Sequence, residues 1–433
     1  MSRPKVLDLF AGCGGLSLGF EQAGFDIAAS VEIDPIHSLV HHYNFPYSSI
    51  IPKDIRHVGT DEILEAFNGH PVDVIIGGAP CQGFSMIGKR QLDDDRNFLV
   101  RNYLRLVAEL SPRYFVFENV KGITLGKHKQ FLEEIISYAS DLGYEVLPWK
   151  VLDARDYGVP QARKRLILIG YKCGEDAPVY PEPTYHPSPE TLLDYFLPRT
   201  PTTSEVLDDL PDAECFPELQ HSDAVRYEPA NVSAGILSYY RPAKDEDWLF
   251  AYKRDWDPCL LTSSARTNHT PLSRLRFEAT AEGEIEPNSR FYKLRPNGYA
   301  NTLRAGTDSS RGAFTSPRPL HYKYDRCVTV REMARLHGYP DWFRFHSTKW
   351  HGARQIGNSV PPPMARAVAE ELLKALKIVP HYPCNVLQRT NEEFLYFDMT
   401  GACKHLGIAV PISGRTQRGT YSKRKQADFL KVA

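Results

Sequence analysis

The sequence predicts an α/β fold, a sheet flanked by helices, with a smaller loop-rich second domain. Three observations predict it. Short apolar runs that end in glycine-rich or polar segments alternate with helical stretches over the first 177 residues. The texture then changes: eleven of the 33 prolines fall between Pro178 and Pro242, where neither the helical nor the strand period persists. Helical stretches return after about residue 298. A chain of 433 residues with 42% hydrophobic content can bury a large core and divide into two domains.

Charge and cysteine usage narrow the classes. With 52 basic and 53 acidic residues the net charge is -1, so any surface for nucleic acid must be local. The eight cysteines form no C-x-x-C pair, which argues against a zinc ribbon or a disulfide framework and suits a reducing cytoplasm. The first residues enter a strand-like run without a charged-then-apolar leader, and no apolar run is long enough to span a membrane.

In chain order, Lys5–Phe10 reads as a strand, AGCGG (Ala11–Gly15) as a tight turn, and Leu16–Ala23 as a helix closed by Gly24. Ser17 stands where a third glycine would complete a pyrophosphate loop. The turn therefore suits an adenosine-bearing ligand whose tail is not a phosphate, or serves structure alone. Asp26–Val31 is a second strand, ending at Glu32, a carboxylate placed for ribose hydroxyls. Pro35–Tyr43 reads as helix, Asp54-Ile55 as the end of a short segment that can meet an adenine, and Asp61–Asn68 as helix.

Val72–Ile76 (VDVII) is a buried strand running into GGAPCQGFS, Gly77–Ser85. Pro80 holds the backbone just before Cys81, at the strand end where open α/β sheets put their ligands. Taken alone, Cys81 is equally a small buried hydrophobe. The polar run Gln82–Arg96 reads as a loop over the site. Phe98–Leu110 is helical, and Arg113–Phe117 is a strand ending in Glu118-Asn119-Val120. A carboxylate at that end, beside the cysteine strand, is a candidate proton donor with a raised pKa, a buried structural carboxylate being the weaker rival. Tyr144–Leu152 is strand-like. Gln161–Gly170 (QARKRLILIG) is another strand, with Arg163 and Arg165 on one face, suited to phosphate or base contacts.

Thr329–His337 reads as a helix, and Gln355–Pro363 (QIGNSVPPP) opens a long helix to about Val379. Met364, Val368, Leu372 and Leu376 keep one of its faces apolar. The last fifty residues show no strong pattern. Ser413–Lys425 carries five basic residues and no acid, the composition of a solvated end or of a phosphate-tracking tail.

Together these blocks resemble the cytosine-5 DNA methyltransferase family. The pieces are DLFAGCGGLSLGF, VEID, KDI, GGAPCQGFS, FENVKG, QARKRLILIG, TVREMARLHGYPDWF and QIGNSVPPP. Eight in the family's order are far more specific than any one. They cover residues 1 to about 174 and about 298 to 378. The resemblance implies a Rossmann-like S-adenosylmethionine-dependent methyltransferase fold with a mixed sheet. The domains would be 1–177 and 298–379 for catalysis and cofactor, 178–297 for target recognition, and 380–433 as an extension of unassigned role.

The resemblance also implies the chemistry. Cys81 would add to carbon 6 of a flipped-out cytosine and make carbon 5 nucleophilic. Glu118 would protonate the ring at nitrogen 3, Arg165 would hold the base carbonyl, and Arg163 would support the site. Carbon 5 would take the methyl of S-adenosylmethionine, leaving S-adenosylhomocysteine. Phe10, Gly12, Gly14, Gly15, Glu32, Ile33, Asp54, Ile55, Pro80, Leu99, Asn358 and Val360 would line the cofactor site. Ile33 stands where many members place a larger side chain. Gln82, Ser85, Arg165 and Thr302 would touch DNA. Arg226, Arg241, Arg254 and Arg266 are candidate base readers.

The expected partner is double-stranded DNA; a cognate restriction endonuclease or another defence system and a solitary regulatory role fit the residues equally. The expected state is a bacterial cytoplasmic monomer, on the nucleoid while working. A transfer-RNA methyltransferase with the same core and a catalytically dead DNA-binding regulator are the rivals. The long segment before TVREMARLH and the intact Cys81, Glu118 and Arg165 argue against them.

Overall fold

A computed structural model describes residues 3–79, 98–126, 128–188, 196–229, 235–307 and 315–410. Cys81, Pro80, Gln82, Ser85, the rest of the Gln82–Arg96 run and the basic Ser413–Lys425 stretch lie outside the described residues.

The first part runs β1 Lys5–Leu9, α1 Gly15–Ala23, β2 Asp26–Val31, α2 Pro35–Asn44, β3 Ser49–Ile51, α3 Thr60–Ala66 and β4 Val74–Gly77. It continues with α4 Phe98–Leu110, β5 Tyr114–Val120, α5 His128–Asp141, β6 Tyr144–Val146, β7 Lys150–Asp153 and β8 Lys164–Lys172. The strands form one mixed sheet in the order β3-β2-β1-β4-β5-β8-β6, with β7 also on β8. The first five of these pair in parallel; β8 runs antiparallel to β5 and to β6 and β7.

The strands are apolar on both faces because both faces are covered. Val6, Val74, Ile76, Tyr114, Val116, Ile167 and Ile169 enter one core, and Leu7, Ile75, Phe115, Phe117, Leu166 and Leu168 enter the other. This period-2 division is the geometry of a strand, and double burial explains the unbroken apolar runs. Ile63 of α3, Tyr103 of α4 and Ile135 of α5 cover the second face.

Three expectations shift. The Tyr144–Leu152 strand is two strands, broken at Pro148, which has no N–H for the ladder. The β8 strand starts at Lys164 rather than Gln161. β5 extends through Val120, since its last residues pair with the start of β8.

The second part contains α6 Thr203–Leu207, β9 Val225–Arg226, α7 Ile236–Tyr240, β10 Lys253–Arg254, β11 Leu260–Leu261 and α8 Pro271–Ala279. Val206, Leu207, Tyr240, Trp248 and Leu294 from this stretch share one apolar core with Val6, Leu16 and Val368. There follow α9 Val330–Leu336, α10 Lys349–Asn358 and α11 Pro362–Leu376. The single long helix expected from Gln355 is thus two. Gln355–Asn358 close α10, and Pro361–Pro363 start α11, where their missing N–H groups cost nothing.

The chain then doubles back. β12 Val386–Leu387 pairs in parallel with β10, and α12 Met399–Leu406 packs on α2. No helix among the described residues is long and apolar enough to cross a membrane.

Candidate active site

Parallel pairing brings the carboxyl ends of β1, β2, β3 and β4 to one edge: Leu9 lies beside Val31 and Gly77, and Val31 beside Ile51. The loops after these strands therefore meet. Phe10 turns the chain at φ 62°, and Gly12 and Gly14 follow at φ 57° and 100°, a left-handed sequence that glycine tolerates. Glu32, buried, clamps this turn. One carboxylate oxygen accepts from Gly12 N–H at 2.8 Å and the other from Asp34 N–H at 2.8 Å. Burial pushes the Glu32 carboxyl up; His37 and the two amides draw it back.

The residues fit an adenosine-bearing ligand. A side-chain carbon at Gly12 would meet no atom within 4 Å, so the turn faces open space. Ile33, next to Glu32, is 60% exposed. Asp54 caps the short helix Ile55–His57 and pairs with Arg56 at 2.6 Å, which holds its carboxyl below the usual range. Ile55 is buried, and Leu99 is half-buried on the same core. Val360 lies against the turn: a carbon on Gly15 would stand 2.4 Å from its carbonyl oxygen. Asn358 is exposed.

Beneath the turn lies a polar chain. Ser17 donates to Asp8 at 2.6 Å and meets His41 Nε2 at 3.1 Å, which meets Ser30 at 3.2 Å. Burial raises the Asp8 carboxyl to about 7, against the opposing Ser17 bond.

The chemistry-bearing residues meet one strand over. Because β8 is antiparallel to β5, its beginning lies beside the end of β5: Val120 faces Arg165 and Glu118 faces Ile167. Arg165 Nε reaches Glu118 Oε1 at 2.9 Å, with both side chains about nine-tenths buried. Burial pushes Glu118 up, while Arg165 and Arg163 pull it back; burial also pushes Arg165 down. Gly78, at the end of β4, sits against the Glu118 carboxylate, and Asn119 Nδ2 donates to Ala79 carbonyl at 3.1 Å. Cys81 follows Ala79 by two residues.

Arg163 requires a correction. It precedes β8 and points inward, fully buried, donating to the carbonyls of Leu303 at 3.0 Å, Gly357 at 2.8 Å and Ser359 at 2.7 Å. It does not share a solvent face with Arg165 and is not free for a phosphate or a base. Thr302 is exposed, and its hydroxyl donates to Ala162 carbonyl at 2.6 Å.

Two of the candidate readers are also corrected. Arg241 is buried on Asp209 at 3.1 Å, and Arg254 is buried on Glu21. Arg266 is partly exposed beside Glu214 at 3.7 Å. Arg226, 73% exposed with Asp257 at 2.7 Å, is the one of the four that projects outward. Gln161 and His337, both buried, were not singled out by sequence. The Q in QAR, two residues before Arg163, was the available signal.

Comparison with known proteins gives a concordant result. A family model described as C-5 cytosine-specific DNA methylase matches residues 4–374. The type II methyltransferase M.XorII of Xanthomonas oryzae pv. oryzae is 52% identical over 421 residues, covering 96% of each chain. M1.HphI of Haemophilus parahaemolyticus, also a type II methyltransferase, is 34% identical over 85% of this chain and 86% of its own. A crystal structure of a prophage-encoded E. coli protein, described as a DNA modification methyltransferase, superposes with TM-score 0.69. It has 32% identity and covers 86% of this chain and 99% of its own. S. pombe Dnmt2 methyltransferase shares the fold at TM-score 0.50 and 17% identity.

Proposed function

The chain belongs to the C-5 cytosine-specific DNA methylase family and is a DNA (cytosine-5-)-methyltransferase; from that premise we propose how its residues carry the reaction. The target is a cytosine within a short sequence of double-stranded DNA. It must leave the helix to be reached, at roughly a few kcal/mol of lost stacking and pairing. Cys81, as thiolate, adds to carbon 6, which turns the ring into an enamine nucleophilic at carbon 5. When bound, S-adenosylmethionine supplies the methyl group to carbon 5; a base, with water available for the role, then takes the carbon 5 proton, and the ring's electrons expel the Cys81 thiolate and release the methylated cytosine.

Glu118 gives its proton to ring nitrogen 3 as charge builds there. Burial supports this role, since it favours the protonated carboxyl that can donate. Arg165 holds Glu118 and offers its remaining N–H groups to the base carbonyl. Arg163 acts at one remove, tying the chain two residues before Arg165 to the Leu303 and Gly357 carbonyls. Glu32, Ile33, Asp54, Ile55, Leu99, Asn358 and Val360 hold the cofactor around the glycine turn, with Pro80. Thr302 and Ser85 meet the DNA backbone, and Gln82 also touches DNA. Residues 178–297 read the sequence.

The observation that carries this reading is the buried Glu118–Arg165 pair beside Gly78, three residues before Cys81 in the sequence. The names of the similar type II methyltransferases support a biological role as the modification half of a restriction–modification pair, marking host DNA against a partner nuclease.

The test is expression in a bacterial host without cytosine methylation, with 5-methylcytosine mapped by conversion sequencing. Methylation at one short sequence, absent in a Cys81→Ser strain, is expected. Unchanged methylation in that strain would overturn the cysteine mechanism. Methylation confined to transfer RNA would overturn the DNA substrate.

A further inference from the structure

A directed hydrogen-bond chain runs beneath the site, through residues that the mechanism above leaves without a role. Gln161, fully buried, accepts the Leu303 N–H on its side-chain carbonyl at 3.0 Å. A backbone N–H can only donate, so this contact fixes the amide orientation and leaves Nε2 as the donor. Nε2 lies 2.9 Å from His337 Nδ1 and 3.3 Å from the Leu336 carbonyl. His337 Nδ1 therefore accepts, its proton sits on Nε2, and that nitrogen faces two acceptors on Ser359, its Oγ at 3.1 Å and its carbonyl at 3.2 Å. Burial, with the positive Arg163 and Arg165 nearby, holds this imidazole neutral.

Arg163 runs in parallel between the same ends. It donates to Leu303 carbonyl and to Ser359 carbonyl. Both backbone polar groups of Leu303 are thus held, and Ser359 carbonyl is held twice. The two ends also touch directly: a side-chain carbon on Gly357 would stand 2.4 Å from Ala305 N.

The ends are the two binding surfaces. Leu303 is the buried residue in the exposed stretch Asn301, Thr302, Arg304. Ser359 lies between Asn358 and Val360. Gln161 and His337 are both fully buried, with no surface of their own to offer a ligand. We propose that Gln161 and His337 are positioning residues shared by the DNA and cofactor sites. One polar chain sets the Thr302 segment against DNA and the Ser359–Val360 turn against the cofactor. The inference rests on the assignment of Thr302 and Val360 made above. What distinguishes it from ordinary packing is polarity: the chain needs a donor at Gln161 Nε2 and an acceptor-plus-donor at residue 337. Removing one partner leaves buried groups unpaired.

The test measures two affinities on the full chain. One is S-adenosylhomocysteine without DNA, by calorimetry. The other is a duplex carrying the mapped sequence without cofactor. Local variants calibrate each side: T302A should weaken DNA alone and V360A the cofactor alone. H337L and Q161L should weaken both affinities, each by about fivefold or more. Q161E keeps the acceptor for Leu303 and removes the donor to His337 at nearly unchanged volume. It should weaken both as well, and stands in should the leucine variants fail to fold. H337Q, whose amide can accept and donate, should stay within about twofold of wild type. The inference is overturned if Q161E alters neither affinity or only one, or if H337Q is as impaired as H337L. If T302A and V360A change nothing while Q161E weakens both, the assignment of those two residues fails and the shared positioning stands.

Discussion

A side-chain carbon on Gly78 would stand 2.4 Å from Glu118 Oε2. The carboxylate has its place only because residue 78 has none of its own side chain to put there. Arg165 holds the other oxygen at 2.9 Å, so the carboxylate cannot simply turn away. Gly78→Ala should cut methyl transfer by about 100-fold, the usual effect of misplacing a reacting group by about an ångström. S-adenosylhomocysteine affinity should stay within about threefold. Single-turnover rates beside calorimetry check this, and near-normal turnover would show that the fit between Gly78 and Glu118 does not matter to the reaction.

The pH dependence of the chemical step follows from two groups with opposite needs. Glu118 must be protonated, and burial raises its pKa, so the rate falls as pH rises through that raised value. Cys81 must be a thiolate, so its contribution rises with pH. Single-turnover rates should trace a bell. Glu118→Gln should be about 100- to 10,000-fold slower and lose the falling limb. A wild-type profile without that limb would remove Glu118 as the proton donor.

Asp8 links stability to pH. Its folded carboxyl titrates at about 7, against about 3.9 in an unfolded chain. The folded state therefore holds a proton that the unfolded state has lost between these values. Its contribution is fully present below about pH 4 and is lost as pH rises to about 7. Asp8→Asn copies the protonated form and can still accept from Ser17. It should be more stable than wild type at pH 8, by up to a few kcal/mol, with the gap closing toward pH 5. Denaturant midpoints at the two pH values test this; an equal gap at both would show that Asp8 does not titrate as described.

The returning C-terminal segment is part of the core. Phe394 packs with Ile36 and Leu39 of α2, Leu395 carbonyl accepts Ser347 N–H at 2.9 Å, and Leu387 carbonyl accepts Asp255 N–H at 2.9 Å. Phe394→Ala should cost about 3 kcal/mol. Chemical denaturation measures it, and a loss under about 1 kcal/mol would show the segment to be loosely attached.

Much of this molecule was legible in the chain. The paired runs VLDL, VII, YFVF and LILI announced strands, and their lack of polar alternation announced burial on both faces. The glycine turn after β1 and the carboxylate after β2 stood at the spacing that brings them together, and Glu32 does bind Gly12. Glu118 could be tied to Cys81 because each follows an apolar run in the sequence, RYFVF and VDVII. The break at Pro148 and the division of the Gln355–Val379 stretch were also written in prolines, but the apolar period around them masked the signal.

What linear spacing could not carry was the environment of each charge. Arg163 and Arg165 stand two apart, yet one is fully buried on carbonyls 140 to 196 residues away and the other grips Glu118. Arg241 and Arg254, candidate base readers in the sequence, are internal ties. The sequence by itself determined the elements, the turn and the set of reactive residue types, because propensity, periodicity and side-chain chemistry are local. The tertiary structure decided which of them meet. That β8 runs antiparallel to β5, and so delivers Arg165 to Glu118, is a matter of long-range pairing. Whether an arginine serves the ligand or the fold depends on which distant carbonyl or carboxylate closes around it.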